Sequence, residues 1–145
     1  MEEISLIIVG VDGSDSSRSA LHWAYGEAAH HSASLTVVST WKRPTLPMSP
    51  PYGSISEEGY EDQPKTTALA VLDKFVAELE PRTPAVDVRT SIEEGSPAKV
   101  LIERSQGADL LVVGSRGLEG FTGMLLGSVS QHLVAHAHCP VVVVR

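Results

Sequence analysis

The chain has little cysteine and little positive charge, and it lacks a long apolar run. Its single cysteine, Cys139, excludes an internal disulfide and fits a reducing cytoplasm. A formal net charge of −7 argues against nucleic acid and anionic membranes as partners, because both select basic surfaces. No apolar run approaches the roughly 18 residues of a membrane span, and Glu2 and Glu3 stand where a signal peptide is basic. We therefore expect a cytoplasmic protein without a membrane segment.

Length and composition indicate one soluble globular unit. The chain has 145 residues, of which 42% are hydrophobic, and this is enough to bury a substantial core. We expect a single domain over residues 1–145.

Strand-like and helix-like segments alternate along the chain. Apolar runs predict strands over residues 5–11, 35–41, 86–92, 110–113 and 140–144. Helical spacing and caps predict helices over residues 16–30, 65–80 and 97–105, and a last helix that Ser128 caps. This alternation predicts an α/β fold, a three-layer α/β/α sandwich around a five-stranded parallel sheet. In such folds a ligand binds outside the carboxyl ends of the strands, where the strand order reverses.

The segment over about residues 42–64 interrupts the alternation. It carries Pro44, Pro47, Pro50, Pro51 and Pro64 together with several acidic residues. It is too long and too rich in proline for an ordinary connection, so we predict a mobile surface loop.

A glycine-rich stretch over residues 109–131 is the most informative part of the sequence. A short apolar run ends at Gly114, further glycines follow at Gly117 and Gly127, and a helix begins near Ser128. Glycines let backbone N–H groups approach a ligand, and a helix N-terminus favours anions. The stretch lacks the Gly-x4-Gly-Lys of NTP-hydrolysing loops and the dinucleotide fingerprint, and no lysine occurs between Asp109 and Arg145. We predict a phosphate-binding site.

The spacing Gly114-x2-Gly117-x9-Gly127-Ser128 resembles the nucleotide-binding signature of the universal stress protein family. The similarity extends to residues 7–14 (IIVGVDGS), 94–98 (EGSPA) and 138–144 (HCPVVVV), in family order. The resemblance implies the strand order 3-2-1-4-5 of an adenine nucleotide alpha hydrolase-like fold. It also implies an ATP-binding regulatory protein of the stress response that forms a homodimer through residues 141–144.

Asp12, Thr40 and Arg116 are the binding-site candidates with more than one interpretation. Asp12 follows the first strand and either only caps a helix or contacts the ligand, by accepting hydrogen bonds from a nucleotide or by holding a metal ion. Thr40 matches the adenine-facing backbone position of the family, and Arg116 either pairs with phosphate or is solvated. The full candidate set is Gly10, Val11, Asp12, Thr40, Val113, Gly114, Arg116, Gly117, Gly127, Ser128, Val129 and Ser130.

A catalytic set is not apparent, so we expect binding rather than turnover, and at most slow hydrolysis of ATP. The alternatives are a true ATPase that uses Asp12 and Mg²⁺, a binder of cyclic AMP, and a structural dimer module without nucleotide. The string His132, His136 and His138 has the spacing of a metal-binding helix face, but we interpret it as a solvated helix end and assign no metal site. Cys139 is interpreted as a small buried residue.

Overall fold

The computed structural model describes residues 3–43, 57–117 and 126–145, with only the backbone for residues 57–62. Five strands alternate with four helices within these ranges. In chain order they are β1 (Leu6–Gly10), α1 (Asp15–His31), β2 (Ser34–Trp41), α2 (Glu57–Ala77), β3 (Val88–Glu94), α3 (Pro97–Ser105), β4 (Leu110–Gly114), α4 (Ser128–His136) and β5 (Val141–Val144).

The strands form one parallel sheet in the order β3-β2-β1-β4-β5, which confirms the predicted topology. β1 lies at the centre, where Ile7 pairs with Leu35 of β2 on one side and with Leu110 of β4 on the other. The order reverses between β1 and β4. In a parallel sheet this places the ends of these two strands at a common crevice.

Alternate residues of the strands enter two separate cores. On β1, Ile7 and Val9 pack in the layer that contains α1 and α2, whereas Ile8 packs with Leu101 of α3 and Leu133 of α4. Because helices cover both faces of the sheet, both sets of side chains are buried. This explains why the sequence of β1 is continuously apolar rather than alternating.

α1 begins at a side-chain cap. Ser14 is the N-cap, and its hydroxyl oxygen accepts a 3.1 Å hydrogen bond from the backbone N–H of Ser17. Arg18 then links α1 to the end of α2, since its Nε lies 2.9 Å from a carboxylate oxygen of Glu78. Together these contacts fix the start of α1, which directly follows the end of β1.

The prediction of a loop over residues 42–64 is wrong for its last eight residues, 57–64. α2 begins at Glu57 and contains Pro64 in its interior, and it ends at Ala77 rather than at residue 80. Proline inside a helix removes a backbone hydrogen bond, so its presence argued against helix. The burial of Ala68, Leu72 and Phe75 against the sheet overrides that local preference. Residues 44–56 of the predicted loop lie outside the described residues.

Other element boundaries differ from the prediction by one or two residues. β3 covers Val88–Glu94 rather than residues 86–92, and it lies at a sheet edge. Gly127, not Ser128, is the N-cap of α4, so Ser128 is its first helical residue. Among the helices of the described ranges, none combines the length and the apolar character that crossing a membrane requires.

Candidate functional site

A cavity of about 900 Å³ lies at the carboxyl ends of the strands, above the point where β1 and β4 diverge. Its lining includes the last residues of β1, β2 and β4. The structure brings all twelve candidate residues to this cavity, namely Gly10, Val11, Asp12, Thr40, Val113, Gly114, Arg116, Gly117, Gly127, Ser128, Val129 and Ser130. Their role in binding stays a prediction.

The turn after β1 orients the carboxylate of Asp12. Its Oδ1 accepts hydrogen bonds from the backbone N–H of Ser14 at 2.9 Å and from the Ser14 hydroxyl at 2.5 Å. Gly13 has φ of +91°, a left-handed conformation that glycine adopts without steric cost. Because Ser14 is the N-cap of α1, Asp12 supports the cap but is not the cap itself. This turn therefore delivers a positioned carboxylate to the cavity.

The end of β4 and the loop after it pack, through glycines, against the start of α1 and the turn before it. A Cβ atom at Gly114 would lie 2.6 Å from the carbonyl carbon of Ser16, and one at Gly117 would lie 2.8 Å from Oδ2 of Asp12. Gly127 lies beside the residue that follows β4, because its backbone N–H donates a 2.6 Å hydrogen bond to the carbonyl of Ser115. These approaches leave no room for larger residues without movement of their neighbours.

The first turn of α4 lines the cavity with Ser128, Val129 and Ser130. The first intrahelical bond at this end runs from the N–H of Gln131 to the carbonyl of Gly127, at 3.0 Å. The N–H groups of Ser128, Val129 and Ser130 precede that bond, as the orphan donors of a helix N-terminus do. The hydroxyl of Ser130 donates a 2.6 Å hydrogen bond to the carbonyl of Gly114, so this donor holds α4 against β4 instead of facing a ligand.

Asp12 and Arg116 are the charged side chains among the described lining residues. Arg116 is exposed, and its backbone N–H donates to the hydroxyl of Ser16 at 3.3 Å. The cavity thus combines one carboxylate, one guanidinium and a set of backbone donors near glycine. Such a site can bind an anion by hydrogen bonds without a large excess of basic residues.

The sequence analysis missed the two side walls of the cavity. Gln63, Thr67 and Val71 of α2 line one side, and Pro97 and Leu101 of α3 line the other. Gln63 was missed because residues 42–64 were predicted as a loop, whereas Thr67 and Val71 lie in the predicted helix over residues 65–80 but were not assigned to the site. The i, i+4 spacing of Pro97 and Leu101 was the available signal for α3.

Gly10 allows the α3 wall to approach β1. A Cβ atom at Gly10 would lie only 2.8 Å from Cδ1 of Leu101. Trp41, at the end of β2, also lines the cavity and was likewise missed.

The histidine string lies outside this cavity. The rings of His132 and His136 are adjacent on α4, with centroids 4.7 Å apart. Within residues 3–43, 57–117 and 126–145, no group of three or more histidine, cysteine, aspartate and glutamate side chains is arranged to hold a metal ion. Cys139 is half-buried, and burial, together with the nearby charge of Asp109, raises the pKa of its thiol.

Comparisons with known proteins point to one family. A model of the universal stress protein family matches residues 4–145. A universal stress protein of Mycolicibacterium smegmatis is 39% identical over 139 residues, which cover 96% of this chain and 45% of the relative. The chain thus spans about half the length of the curated relatives that it matches.

Solved structures of the same family superpose on the whole chain. The universal stress protein UspA from Lactobacillus plantarum has a TM-score of 0.81 at 25% identity, and the match covers 100% of both chains. A universal stress protein crystallised in complex with cAMP has a TM-score of 0.71 at 28% identity, with 99% of this chain and 98% of that chain covered.

Proposed function

This chain belongs to the universal stress protein family, and we propose that it is a cytoplasmic regulatory protein of the stress response that binds an adenine nucleotide, ATP, in the cavity described above. The observation that carries this proposal is the meeting of three features at one cavity. The carboxylate of Asp12, the backbone of Gly117 and the first turn of α4 all face it. Its volume of about 900 Å³ lies within the range of small-molecule sites.

The donors of the β4–α4 region suit the phosphates. Gly117 and Gly127 allow close approach of the backbone, and the N–H groups of Ser128 and Val129 add the favourable end of a helix. Arg116 supplies a guanidinium that can pair with phosphate oxygens. In this proposal the phosphates lie over β4 and the nucleoside extends toward β1 and β2.

Asp12 suits either of two polar partners. Its carboxylate can accept hydrogen bonds from hydroxyl groups of the nucleotide, or it can hold Mg²⁺ that accompanies the phosphates. Mg²⁺ in nucleotide sites is often bound through one or two carboxylates and the phosphates, so a single acidic residue fits this role. The metal would neutralise phosphate charge beside Asp12.

We further propose that binding rather than hydrolysis is the function. No lysine follows Asp109 in the sequence, and the charged side chains among the described lining residues are Asp12 and Arg116. These two side chains offer little to position an attacking water molecule, so any hydrolysis of ATP should be slow. The regulatory signal would then be the nucleotide-bound state itself.

Cyclic AMP is the second candidate ligand. A family member that is 28% identical was crystallised with cAMP. The cavity offers backbone donors to a single phosphate as well as to three. Direct competition between ATP and cAMP distinguishes the two candidates.

We also propose a homodimer through β5. This strand lies at the edge of the sheet, and its four residues are valines that are only half-buried in the single chain. An apolar edge strand with open backbone groups favours pairing with a second copy.

The test begins with the nucleotide content of the purified protein. Protein prepared without added ligand is denatured, and the supernatant is analysed by ion-exchange chromatography. The stripped protein is then titrated with ATP, ADP and cAMP. We expect co-purified ATP or tight ATP binding, and loss of binding in Gly117→Val.

The control is Gly107→Val, since no atom lies within 4 Å of a Cβ at Gly107. An empty cavity that binds none of these nucleotides would favour a structural dimer module instead.

A further inference from the structure

α2 presents a stripe of mixed character to the cavity, with the polar residues Gln63 and Thr67 and the apolar residues Pro64, Ala68 and Val71. Gln63, Thr67 and Val71 are spaced four residues apart, so they lie on one face of the helix, and all three line the cavity. Val71 is the member of this stripe that lies next to the turn after β1, because its Cγ2 is 3.3 Å from the position of a Cβ at Gly13. Thr67 and Gln63 then follow at about 6 and 12 Å along the helix axis. The stripe therefore rises from the Asp12–Gly13 turn along the side of the cavity.

α2 and α3 lie on opposite faces of the sheet. Leu72 and Phe75 of α2 pack in the core layer of Ile7, whereas Leu101 of α3 packs in the layer of Ile8. Both helices rise beside the carboxyl ends of the strands, and the cavity lies between them. One end of the cavity is thus bordered by apolar residues of α3 and by an α2 side on which Gln63 and Thr67 are the polar members.

Gln63 and Thr67 are the two polar residues of this stripe, and both line the cavity. Gln63 and Thr67 are exposed, and neither makes a side-chain hydrogen bond to another described residue. On the opposite wall, Pro97 and Leu101 provide a surface that suits the flat face of a base. A carboxamide both donates and accepts hydrogen bonds, which matches the donor–acceptor edge of adenine.

The position of α2 separates it from the phosphate donors. α2 contacts β2 and β3, while the glycine loop and α4 follow β4, which lies two strands away from β2 in the sheet. Neighbouring strands are about 4.8 Å apart, so β2 and β4 are separated by about 10 Å. Side chains from α2 therefore face the nucleoside end of a ligand whose phosphates lie over β4.

We propose that Gln63 and Thr67 determine ligand specificity by hydrogen-bonding the nucleoside, Gln63 at the edge of the base and Thr67 at the sugar. This inference rests on the proposed function, because it assigns residues to one end of the same ligand. It gives α2 a role in recognition that is independent of the glycine loop.

The experiment is calorimetric titration of the stripped protein with ATP, adenosine, GTP and inorganic tripolyphosphate. The variants are Gln63→Ala and Thr67→Val. The matched control is Thr66→Val, because Thr66 is the adjacent exposed threonine of α2 but does not line the cavity. Thermal melting of each variant verifies that the fold is retained, as expected for exposed positions.

Each cavity variant should bind ATP and adenosine about fivefold more weakly than the wild type, as the loss of one hydrogen bond predicts. Tripolyphosphate binding should not change, and Gln63→Ala should also lose part of its preference for ATP over GTP. Thr66→Val should match the wild type in every titration.

Two outcomes would overturn the inference while leaving the proposed function intact. In the first, the wild type binds ATP and both cavity variants bind it equally well. In the second, the variants weaken tripolyphosphate as much as ATP, which would place these residues at the phosphates. A wild type that binds neither ATP nor adenosine would overturn the proposed function, and this inference with it.

Discussion

Gly117 lies directly against the carboxylate of Asp12, since a Cβ atom at Gly117 would stand 2.8 Å from Asp12 Oδ2. The other carboxylate oxygen, Oδ1, accepts hydrogen bonds from Ser14. The carboxylate is thus held between the cap of α1 and the loop after β4. Two segments far apart in the sequence share one site, and changes at either should affect the same ligand.

Asp12→Asn should weaken ATP binding and leave the fold stable. The carboxamide oxygen of Asn can still accept the hydrogen bonds of Ser14, so the free energy of unfolding should change by less than about 1 kcal/mol. The loss of the charge should lower ATP affinity in the presence of Mg²⁺ by about tenfold or more. Calorimetric titration and chemical denaturation measure the two effects.

The control for this prediction is Asp15→Asn. Asp15 also lies at the start of α1, but its side chain is 98% exposed and pairs with Arg18 on the surface. ATP affinity should be unchanged in this variant. Equal affinities in the wild type, Asp12→Asn and Asp15→Asn would show that the Asp12 carboxylate does not contact the ligand.

Gly114→Ala should destabilise the fold. The added Cβ would lie 2.6 Å from the carbonyl carbon of Ser16, which is backbone and cannot rotate away. Separating α1 from the end of β4 should lower the free energy of unfolding by about 1–3 kcal/mol. Guanidinium denaturation measures the difference. Gly107→Ala is the matched control, since a Cβ there meets no atom within 4 Å. Equal stability of the two variants would contradict the close packing at Gly114.

The sequence predicted the fold because its central strands are continuous apolar runs separated by clear breaks. It also placed Asp12 and the glycines of the β4–α4 loop at one crevice, since these residues directly follow strands β1 and β4. Their position depends on local chain order and on the strand order, and the family resemblance supplied the latter.

The walls of the cavity were not predictable in the same way. Gln63 and Leu101 reach the cavity only because α2 and α3 pack on opposite faces of the sheet. Pro64 also obscured the helix that carries Gln63, because local preference opposes proline in that position. The hydrogen bond from the Ser130 hydroxyl to the Gly114 carbonyl was not predictable either, because it joins residues that are distant in the sequence.

Asp109 should make stability depend on pH in the acid range. Its Oδ2 accepts hydrogen bonds of 2.9 Å from the backbone N–H groups of Ser5 and Leu6 and from the Ser5 hydroxyl. These bonds, the Ser5 N–H first, hold the pKa of the Asp109 carboxyl below its ordinary value of 3.8. Because the pKa is lower in the folded state, this stabilisation is complete above pH 3.8 and is lost as the pH falls through the folded value.

Asp109→Asn tests this dependence. The variant should be less stable than the wild type at neutral pH, and the difference should shrink as the pH falls below 3.8. Ser5→Ala removes only the hydroxyl donor and should give a smaller effect of the same sign. Urea denaturation at a series of pH values measures both. A difference between wild type and Asp109→Asn that is constant with pH would contradict the role of the charge.

Val143→Pro should separate the proposed dimer without unfolding the chain. The carbonyls of Pro140 and Val144 accept hydrogen bonds from the N–H groups of Leu111 in β4 and of Ser115 directly after it. Because successive residues of a strand alternate in direction, the N–H of Val143 points away from β4. Proline is tolerated at such an edge position, but it removes a donor that a partner strand needs. We expect a dimer for the wild type and a monomer for the variant by sedimentation at micromolar concentration, with unchanged circular dichroism.

Val134→Lys, at an exposed position of α4 outside β5, is the control and should remain dimeric. A wild type that is monomeric, or a variant that remains dimeric, would show that β5 is not the interface.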